Sequence, residues 1–275
     1  MEEIIAEKTI RHTGTTGAAG VGAAGGAAGG AGRTSGAPGA RGVTGVPGVT
    51  GVPGAVRIPG QRGESLLDSA VRYAEERHWD VFPGTWLEPT TGGAGAAGGE
   101  RCSCRRADCP EPGAHATGPD WVGLATGSAV SARRLWTERP DASLLLPTGR
   151  GFDALEVPEL AGFLALARME RLGVAPGPVT RTPGRRMLFF VLPGAAAKLD
   201  GLVRQLGWSL SSLDLVARGE GCYVAAPPTR AIGGTVQWAR RPTPANRWLP
   251  DAEELISPLA YACGREAAAE RARRT

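Results

Sequence analysis

The residues with the clearest chemical potential lie between positions 102 and 115. Three cysteines and one histidine fall within these 14 residues: Cys102, Cys104, Cys109 and His115. Three thiolates and one imidazole complete the tetrahedral ligand set of a structural Zn²⁺ and leave no position open for water or substrate. The Pro and Gly residues at 110–113 supply the turn that brings His115 back. The pattern predicts one structural zinc ion, and the alternative is a set of unligated thiols beside a solvated histidine.

The segments around this cluster show helical and strand patterns in turn. Apolar residues at helical spacing predict helices at 65–78, 131–138, 159–172, 198–206 and 252–262. Short apolar runs predict strands at 80–83, 143–146, 152–157, 213–216, 222–226 and 236–239. A hairpin around Pro183-Gly184 is predicted to join 179–182 to 187–192. In the third helix we expect the large residues to face inward: Leu160, Phe163, Leu164 and Leu172, together with Ala167. This mixture predicts an α+β fold, with helices packed on a mixed sheet.

Other parts of the chain differ in composition from this body. Residues 1–62 are rich in Gly, Ala, Thr and Pro, and every third residue from Gly36 to Val56 is Gly. Gly at every third position is the collagen period, but a triple helix would require a trimer. The composition buries too little apolar surface to offset chain entropy, so we predict a disordered tail. We expect one domain at 63–263, with a zinc-knuckle-like insert at about 101–116, and a second tail at 264–275.

The charge distribution limits the classes of function. The chain carries a formal net charge of +4, but residues 63–275 hold 25 basic and 24 acidic side chains. Residues 63–275 therefore lack the large excess of positive charge that is typical of a protein that coats nucleic acid electrostatically. No apolar run reaches the ~20 residues that span a bilayer, and the acidic N-terminus is not a secretory signal. We therefore expect a cytoplasmic protein with no membrane partner.

Three segments of the body resemble, in this order, segments of a known protein family. They are Cys109-Pro-Glu-Pro-Gly-Ala-His115, Leu146-Pro147-Thr148-Gly149, and the stretch Gly-Glu-Gly-Cys-Tyr-Val-Ala-Ala-Pro-Pro-Thr at 219–229. The series resembles the N-terminal domain of bifunctional DNA primase/polymerases (Prim-Pol), which belong to the archaeo-eukaryotic primase superfamily. The third segment is the most specific, since it matches the family's Gly-Gly-Tyr-Val-x-Ala-Pro-Pro-Ser. The resemblance covers about residues 65 to 262 and implies a primase/polymerase-like sheet with helices packed on it.

The resemblance also implies a metal site made of acids. In this family two carboxylates hold Mg²⁺ or Mn²⁺ on nucleotide phosphates, because these hard cations prefer oxygen ligands. The Asp-x-Asp motif falls on Glu156 and Pro158, so Glu156 can stand for the first acid and the second is missing. Asp153 is a nearby acid, although side chains three apart on a strand face opposite sides. The family's third acid falls on Val216, and Asp214 lies two residues upstream. The candidate metal acids are Asp153, Glu156 and Asp214.

The family's phosphate-contacting histidine falls on Met187 of this sequence. Arg185 or Arg186 could contact phosphate in its place, and Arg218 is a third candidate. The alternative for the two turn arginines is that they are solvated. Because all three motifs depart from the family pattern, we predict a degenerate catalytic site within an intact fold.

Two kinds of function remain open at this point. The first is template-dependent nucleotidyl transfer in DNA replication or repair, with a DNA template and nucleotides as partners and weak or lost activity. The second is a catalytically inactive primase-fold module that binds nucleic acid, nucleotide or a replication protein, or that serves as a regulatory scaffold. The sequence sets neither the oligomeric state nor the nucleotide preference.

Overall fold

The computed structural model describes residues 64–90, 99–244 and 248–274. The predicted tail at 1–62 and the Gly/Ala-rich segment 91–98 lie outside the described residues. The helices are α1 (Leu66–Arg77), α2 (Ala129–Glu138), α3 (Glu159–Leu172), α4 (Ala195–Gln205) and α5 (Ala252–Arg274). The strands of the first half are β1 (Phe82–Pro83), β2 (Leu87–Pro89), β3 (Glu100–Cys102), β4 (Leu144–Pro147), β5 (Asp153–Pro158) and β6 (Val179–Arg181). Those of the second half are β7 (Arg186–Val191), β8 (Val216–Arg218), β9 (Tyr223–Ala225), β10 (Arg230–Ala231), β11 (Gly234–Thr235) and β12 (Gln237–Arg240).

The strands form a five-stranded sheet in the order β12-β6-β7-β5-β8 and a three-stranded sheet in the order β1-β4-β9. Two further hairpins, β2–β3 and β10–β11, were not predicted. All of these pairings are antiparallel. The predicted α+β class is confirmed, and the predicted hairpin around Pro183-Gly184 is the β6–β7 connection.

The five-stranded sheet separates two apolar cores because side chains alternate along each strand. On one face Met187, Phe189 and Val191 of β7 pack with α3, α4 and α5. On the other face Leu188 and Phe190 pack with α1, α2 and the three-stranded sheet. Beyond Leu188 this second face ends in polar side chains that border a cavity. The fold therefore leaves one end of one sheet face open.

Helix α3 has the predicted bounds, but its buried face differs from the prediction. Three of the large residues that we expected to face inward are more than 45% exposed: Leu160, Phe163 and Leu172. The buried positions are Ala161, Gly162, Ala165 and Met169. The small residues at 161, 162 and 165 let the helix approach the sheet closely, since a Cβ on Gly162 would lie only 2.5 Å from Met187 Sδ. The prediction that the large residues face inward was therefore wrong for most of this helix.

Helix α5 extends well beyond its predicted end at residue 262 and includes most of the segment predicted as a second tail. Within that segment Glu266 accepts a hydrogen bond of 3.0 Å from the backbone N–H of Ala161. This contact satisfies a donor in the first turn of α3, where the N-cap residue, Pro158, provides no side-chain cap. No helix in the described ranges is long and apolar enough to span a membrane.

Candidate functional site

The four predicted zinc ligands converge. The ligand atoms of Cys102, Cys104, Cys109 and His115 all lie within 4.8 Å of one another, and Cys102 Sγ is 3.4 Å from His115 Nε2. In a tetrahedral site with Zn–S bonds near 2.3 Å, two sulfurs would be about 3.8 Å apart. The donor set and its spacing therefore fit a structural zinc ion. Within the part of the chain that the structure describes, no other group of three or more such side chains converges in this way.

Local backbone geometry brings the ligands together. Cys102 ends β3, where it pairs with Leu87 of β2, and the chain then turns through Arg105 with φ of 60°. Gly113 has φ of 85°, and a Cβ there would lie 2.9 Å from the carbonyl oxygen of Arg230. Only glycine fits this position without strain. The Gly113 N–H donates to Cys102 Sγ at 3.3 Å, so the turn and the first ligand support each other.

His115 is held through both its ring and its backbone. Nδ1 lies 2.7 Å from the carbonyl oxygen of Ala116, which can only accept a hydrogen bond. Nδ1 therefore carries the proton, and the lone pair of Nε2 is available to a metal ion. The His115 carbonyl accepts hydrogen bonds from the N–H of Thr85 at 2.8 Å and from its hydroxyl at 3.1 Å. These contacts attach the insert to the segment that follows β1.

Hydrogen bonds lower the pKa of Cys102, the first of the candidate metal ligands. Burial opposes ionisation of the Cys102 thiol, but donors from Cys104, Gly113 and Thr85 together lower its pKa to about 6. Burial and the neighbouring Cys104 and Cys102 side chains raise the pKa of Cys109 to about 11. The two pKa shifts have opposite directions: the Cys102 thiol ionises more readily than an ordinary cysteine, whereas the Cys109 thiol ionises less readily and a bound cation would favour the loss of its proton.

A cavity of about 480 Å³ lies between the insert and the open end of the sheet face. Its volume falls in the range of roughly 300–1,000 Å³ that is typical of small-molecule sites. The insert contributes one wall, formed by Pro110, Glu111, Pro112 and Ala114. The five-stranded sheet contributes Glu156, Arg186, Leu188 and Arg218. The remaining apolar surface comes from β9 and the β10–β11 region, including Tyr223, Val224, Ile232 and Val236.

Glu156 lies at the centre of the charged part of this cavity. It pairs directly with Leu188 of β7 and Val216 of β8, which places Arg186 and Arg218 at the diagonal positions on the same face. Arg186 Nε donates to Glu156 Oε1 at 2.9 Å, and Arg218 donates to Glu156 Oε2 at 2.8 Å through both Nε and a terminal nitrogen. With a side chain only 12% exposed, Glu156 is neutralised by two guanidinium groups.

Asp214 joins the same network through Arg186. The two terminal nitrogens of Arg186 donate to the Asp214 carboxylate at 2.6 and 2.9 Å, a bidentate pair. The hydrogen bonds that Arg186 donates to Asp214 and Glu156 outweigh burial and raise the pKa of Arg186. The structure thus brings Glu156, Asp214, Arg186 and Arg218 together in one ion-pair network.

Asp153 lies elsewhere. It begins β5 on the face opposite Glu156 and is 1% exposed. Its Oδ2 accepts hydrogen bonds of 3.1 Å from the backbone N–H groups of Gly194 and Ala196, at the start of α4. The geometry gives Asp153 the place of a helix cap and does not bring it to the other two candidate acids.

The turn arginines also separate. Arg186 belongs to the network, whereas Arg185 has a side chain 72% exposed and pairs with Glu159 at 3.5 Å, outside the cavity lining. The sequence analysis did not single out most of the cavity residues, among them Glu111 and Ile232. Glu111 is flanked by prolines inside the metal-binding segment, and that position was the only available signal that it lines a wall.

The comparison with protein families gives a match over this same region. The model of the family described as bifunctional DNA primase/polymerase, N-terminal (Prim-Pol), matches residues 70–248, nearly two thirds of the chain. The chain belongs to the Prim-Pol family. No match was found among curated proteins or solved structures. The matched range contains the Cys/His cluster, both sheets and the whole of the charged network.

Membership in the Prim-Pol family confirms the resemblance seen in the sequence. At the level of the family, the function is nucleotidyl transfer of the primase/polymerase type, with DNA and nucleotides as partners. Pro158, on which the sequence analysis places the second motif acid, offers no ligand atom on its side chain and immediately precedes α3. The altered set of acids stays a prediction.

Proposed function

We propose that this Prim-Pol domain binds a nucleoside triphosphate in the 480 Å³ cavity, and that template-dependent nucleotidyl transfer there is weak or absent. One observation carries the proposal: Arg186 contacts both Glu156 and Asp214, the two acids that would have to hold a divalent metal ion. The site is balanced by guanidinium groups rather than left open for cations.

The walls of the cavity suit the parts of a nucleotide. Arg186 and Arg218 present forked donors that match phosphate oxygens. Tyr223 and Ile232 offer aromatic and apolar surface for a base or sugar. Phosphate-binding and apolar surfaces therefore border one space, as recognition of a nucleotide requires.

Binding of phosphate requires the arginines to exchange partners, because both are paired with acids in the free protein. A magnesium-bound triphosphate supplies both new partners, since its cation suits the carboxylates and its phosphates suit the guanidinium groups. Such an exchange leaves no half-buried charge without a partner. We therefore expect nucleotide affinity to increase when Mg²⁺ is present.

Catalysis has less support than binding. Two-metal nucleotidyl transfer uses several carboxylates to bridge the metals and the reacting phosphates. Here Asp153 caps α4 instead, and Asp214 and Glu156 are engaged by three hydrogen bonds from Arg186. A metal ion must displace those bonds before it can act, so we expect slow synthesis.

The second candidate function is the family activity itself, and one observation favours it. Glu156 and Asp214 contact the same guanidinium group, so a single divalent ion that replaced that group could reach both carboxylates. Template-dependent synthesis would then depend on these two acids and would not depend on Asp153.

One pair of measurements tests both functions. Calorimetric titration with dATP, with and without Mg²⁺, should show binding to the wild type and at least tenfold weaker binding to Arg186→Met. The matched control is Arg185→Met, which removes a neighbouring arginine outside the cavity and should bind like the wild type. Absence of dATP binding to the wild type would refute the proposal.

Primer extension and de novo priming, each with Mg²⁺ and with Mn²⁺, decide between binding alone and catalysis. We expect near-background synthesis from the wild type and from a Glu156→Gln/Asp214→Asn variant alike. Robust wild-type synthesis that the double variant loses would instead establish the polymerase function.

A further inference from the structure

We propose that the metal ion held by the Cys/His cluster controls the nucleotide affinity of the cavity, because the chain between two of its ligands forms one cavity wall. The proposal builds on the nucleotide-binding function above and adds its regulation. It assigns the cluster a role beyond local stability.

The wall segment is closed at both ends by metal ligands. Cys109 precedes it and His115 follows it, and four of the five residues between them line the cavity: Pro110, Glu111, Pro112 and Ala114. The two prolines have fixed φ angles, and the short loop is closed by a single ion. The position of the wall is therefore set by whether its two ends are held together.

The wall segment and the residue after His115 also contact two other walls of the cavity. The Pro112 carbonyl accepts a hydrogen bond of 3.2 Å from the N–H of Ile232. The N–H of Ala116, which follows His115, donates to the hydroxyl of Tyr223 at 3.1 Å. Ile232 and Tyr223 both line the cavity. A shift of the segment thus moves groups on the far side as well.

The wall also carries charge toward the phosphate-facing arginine. Glu111 and Arg218 line the same cavity. Burial opposes the charge of Arg218, but Glu156 and, less strongly, Glu111 raise its pKa. Displacement of the wall would therefore change the surroundings of a guanidinium group that we assign to phosphate binding.

Without a metal ion the ends of the wall are held, within the described part of the chain, only by hydrogen-bond contacts, those of His115 with Thr85 and with Cys102 Sγ. Three sulfurs and one imidazole lie within 4.8 Å of one another, so a single ion can reach the ligands at both ends of the wall. A bound ion therefore adds direct bonds to these weaker contacts and closes the loop. Because coupling between two binding sites is reciprocal, nucleotide must tighten zinc binding by the same factor by which zinc tightens nucleotide binding.

The test compares the zinc-loaded full-length chain with the same chain after chelation. The probe is a fluorescent 2′-deoxyadenosine triphosphate, its binding is followed by anisotropy, and far-UV circular dichroism monitors the fold. We expect the Kd to rise at least tenfold on zinc removal and to recover when zinc is restored. Saturating dATP should lower the zinc Kd by an equal factor. A nucleotide Kd that does not depend on zinc would overturn the proposal.

A variant that keeps the ligands covers the case in which chelation unfolds the chain. Pro110→Gly/Pro112→Gly leaves all four ligands but loosens the wall, so it should retain one zinc per chain and bind the probe more weakly. The matched control is Pro89→Gly, in β2 of the same region but outside the cavity, which should bind the probe like the wild type. Unchanged probe affinity in the double variant would also overturn the proposal.

The two proposals fail in distinguishable ways. If the zinc-loaded wild type binds no nucleotide, the proposed function and this inference both fall. If it binds nucleotide equally well with and without zinc, only the inference falls.

Discussion

The segment between two ligands of the Cys/His cluster and the charged network of the sheet line the same cavity, but the cluster and the network balance their charges differently. In the cluster four metal-binding atoms lie within 4.8 Å of one another, so the arrangement needs an external cation to stabilise its thiolates. In the network Glu156 and Asp214 already have guanidinium partners supplied by β7 and β8. A metal ion would complete the first region, whereas in the second a metal ion would have to compete with arginine.

This difference separates two uses of metal in one domain. In the two proposals above, zinc at the cluster would support the wall, whereas Mg²⁺ or Mn²⁺ at the sheet would enter only with a ligand that gives the arginines new partners. Stability should therefore depend on zinc and be largely indifferent to free Mg²⁺. Each prediction below tests one side of this contrast.

The largest effect should come from removing a zinc ligand. Cys102→Ser should reduce bound zinc from about one per chain to below one tenth and lower stability by several kcal/mol, a part of the roughly 10–16 kcal/mol that structural zinc supplies in small domains. Elemental analysis and thermal unfolding measure both. Cys263→Ala removes a buried cysteine away from the cluster and should keep the zinc. Full zinc content in Cys102→Ser would show that this cluster does not hold the zinc, and the contrast between the two regions would fail.

The second-largest effect should come from removing the guanidinium group of Arg186. Arg186→Met leaves Glu156, 12% exposed, with one partner fewer and should destabilise the domain by about 2–3 kcal/mol. A second change, Glu156→Gln, should restore part of that loss, and the double-mutant cycle in urea measures the coupling between the two residues. Arg185→Met should cost less than about 0.5 kcal/mol because that side chain is solvated. Equal losses at 185 and 186 would contradict a network centred on Arg186.

The two regions also differ in how much of them the sequence predicts. The zinc ligands lie within 14 residues, where turn geometry alone decides whether they meet. Asp153 and Glu156 are just as close, and the period of a strand indicates that they face opposite sides, as they do. The meeting of Arg186 with Asp214 depends on the pairing of β5 with both β7 and β8, which joins residues 28 apart. No local pattern contains that pairing.

Helix α3 shows a related limit. Its bounds follow from sequence periodicity, but its buried face is set by how closely α5 and β7 approach it, and small residues at 161, 162 and 165 permit that approach. Apolar residues on both sides of the helix left two faces available, and only the packing of distant elements selects one.

A third prediction uses the pH dependence of zinc affinity. The pKa of Cys109 is raised to about 11, so zinc must displace its proton, and affinity should increase at least tenfold per pH unit between pH 7 and 8. The pKa of Cys102 is lowered to about 6, so this thiol adds a further displaced proton to the balance only below about that pH. Competition with a chromophoric chelator between pH 5 and 8 measures the slope, which should steepen below about pH 6. A flat profile would show that the thiols do not bind the ion.

The smallest effect should come from Asp153, the candidate acid that the structure places away from the network. Asp153→Ala removes the acceptor for two backbone N–H groups at the start of α4 and should cost about 1–2 kcal/mol. Asp153→Asn keeps one acceptor oxygen in place and should cost less. Neither change should alter the Kd for dATP, because the residue lies on the opposite sheet face from the cavity. Weaker dATP binding in a fully folded Asp153→Asn variant would return this residue to the metal-binding acids. The network would then no longer be a site balanced by arginine alone.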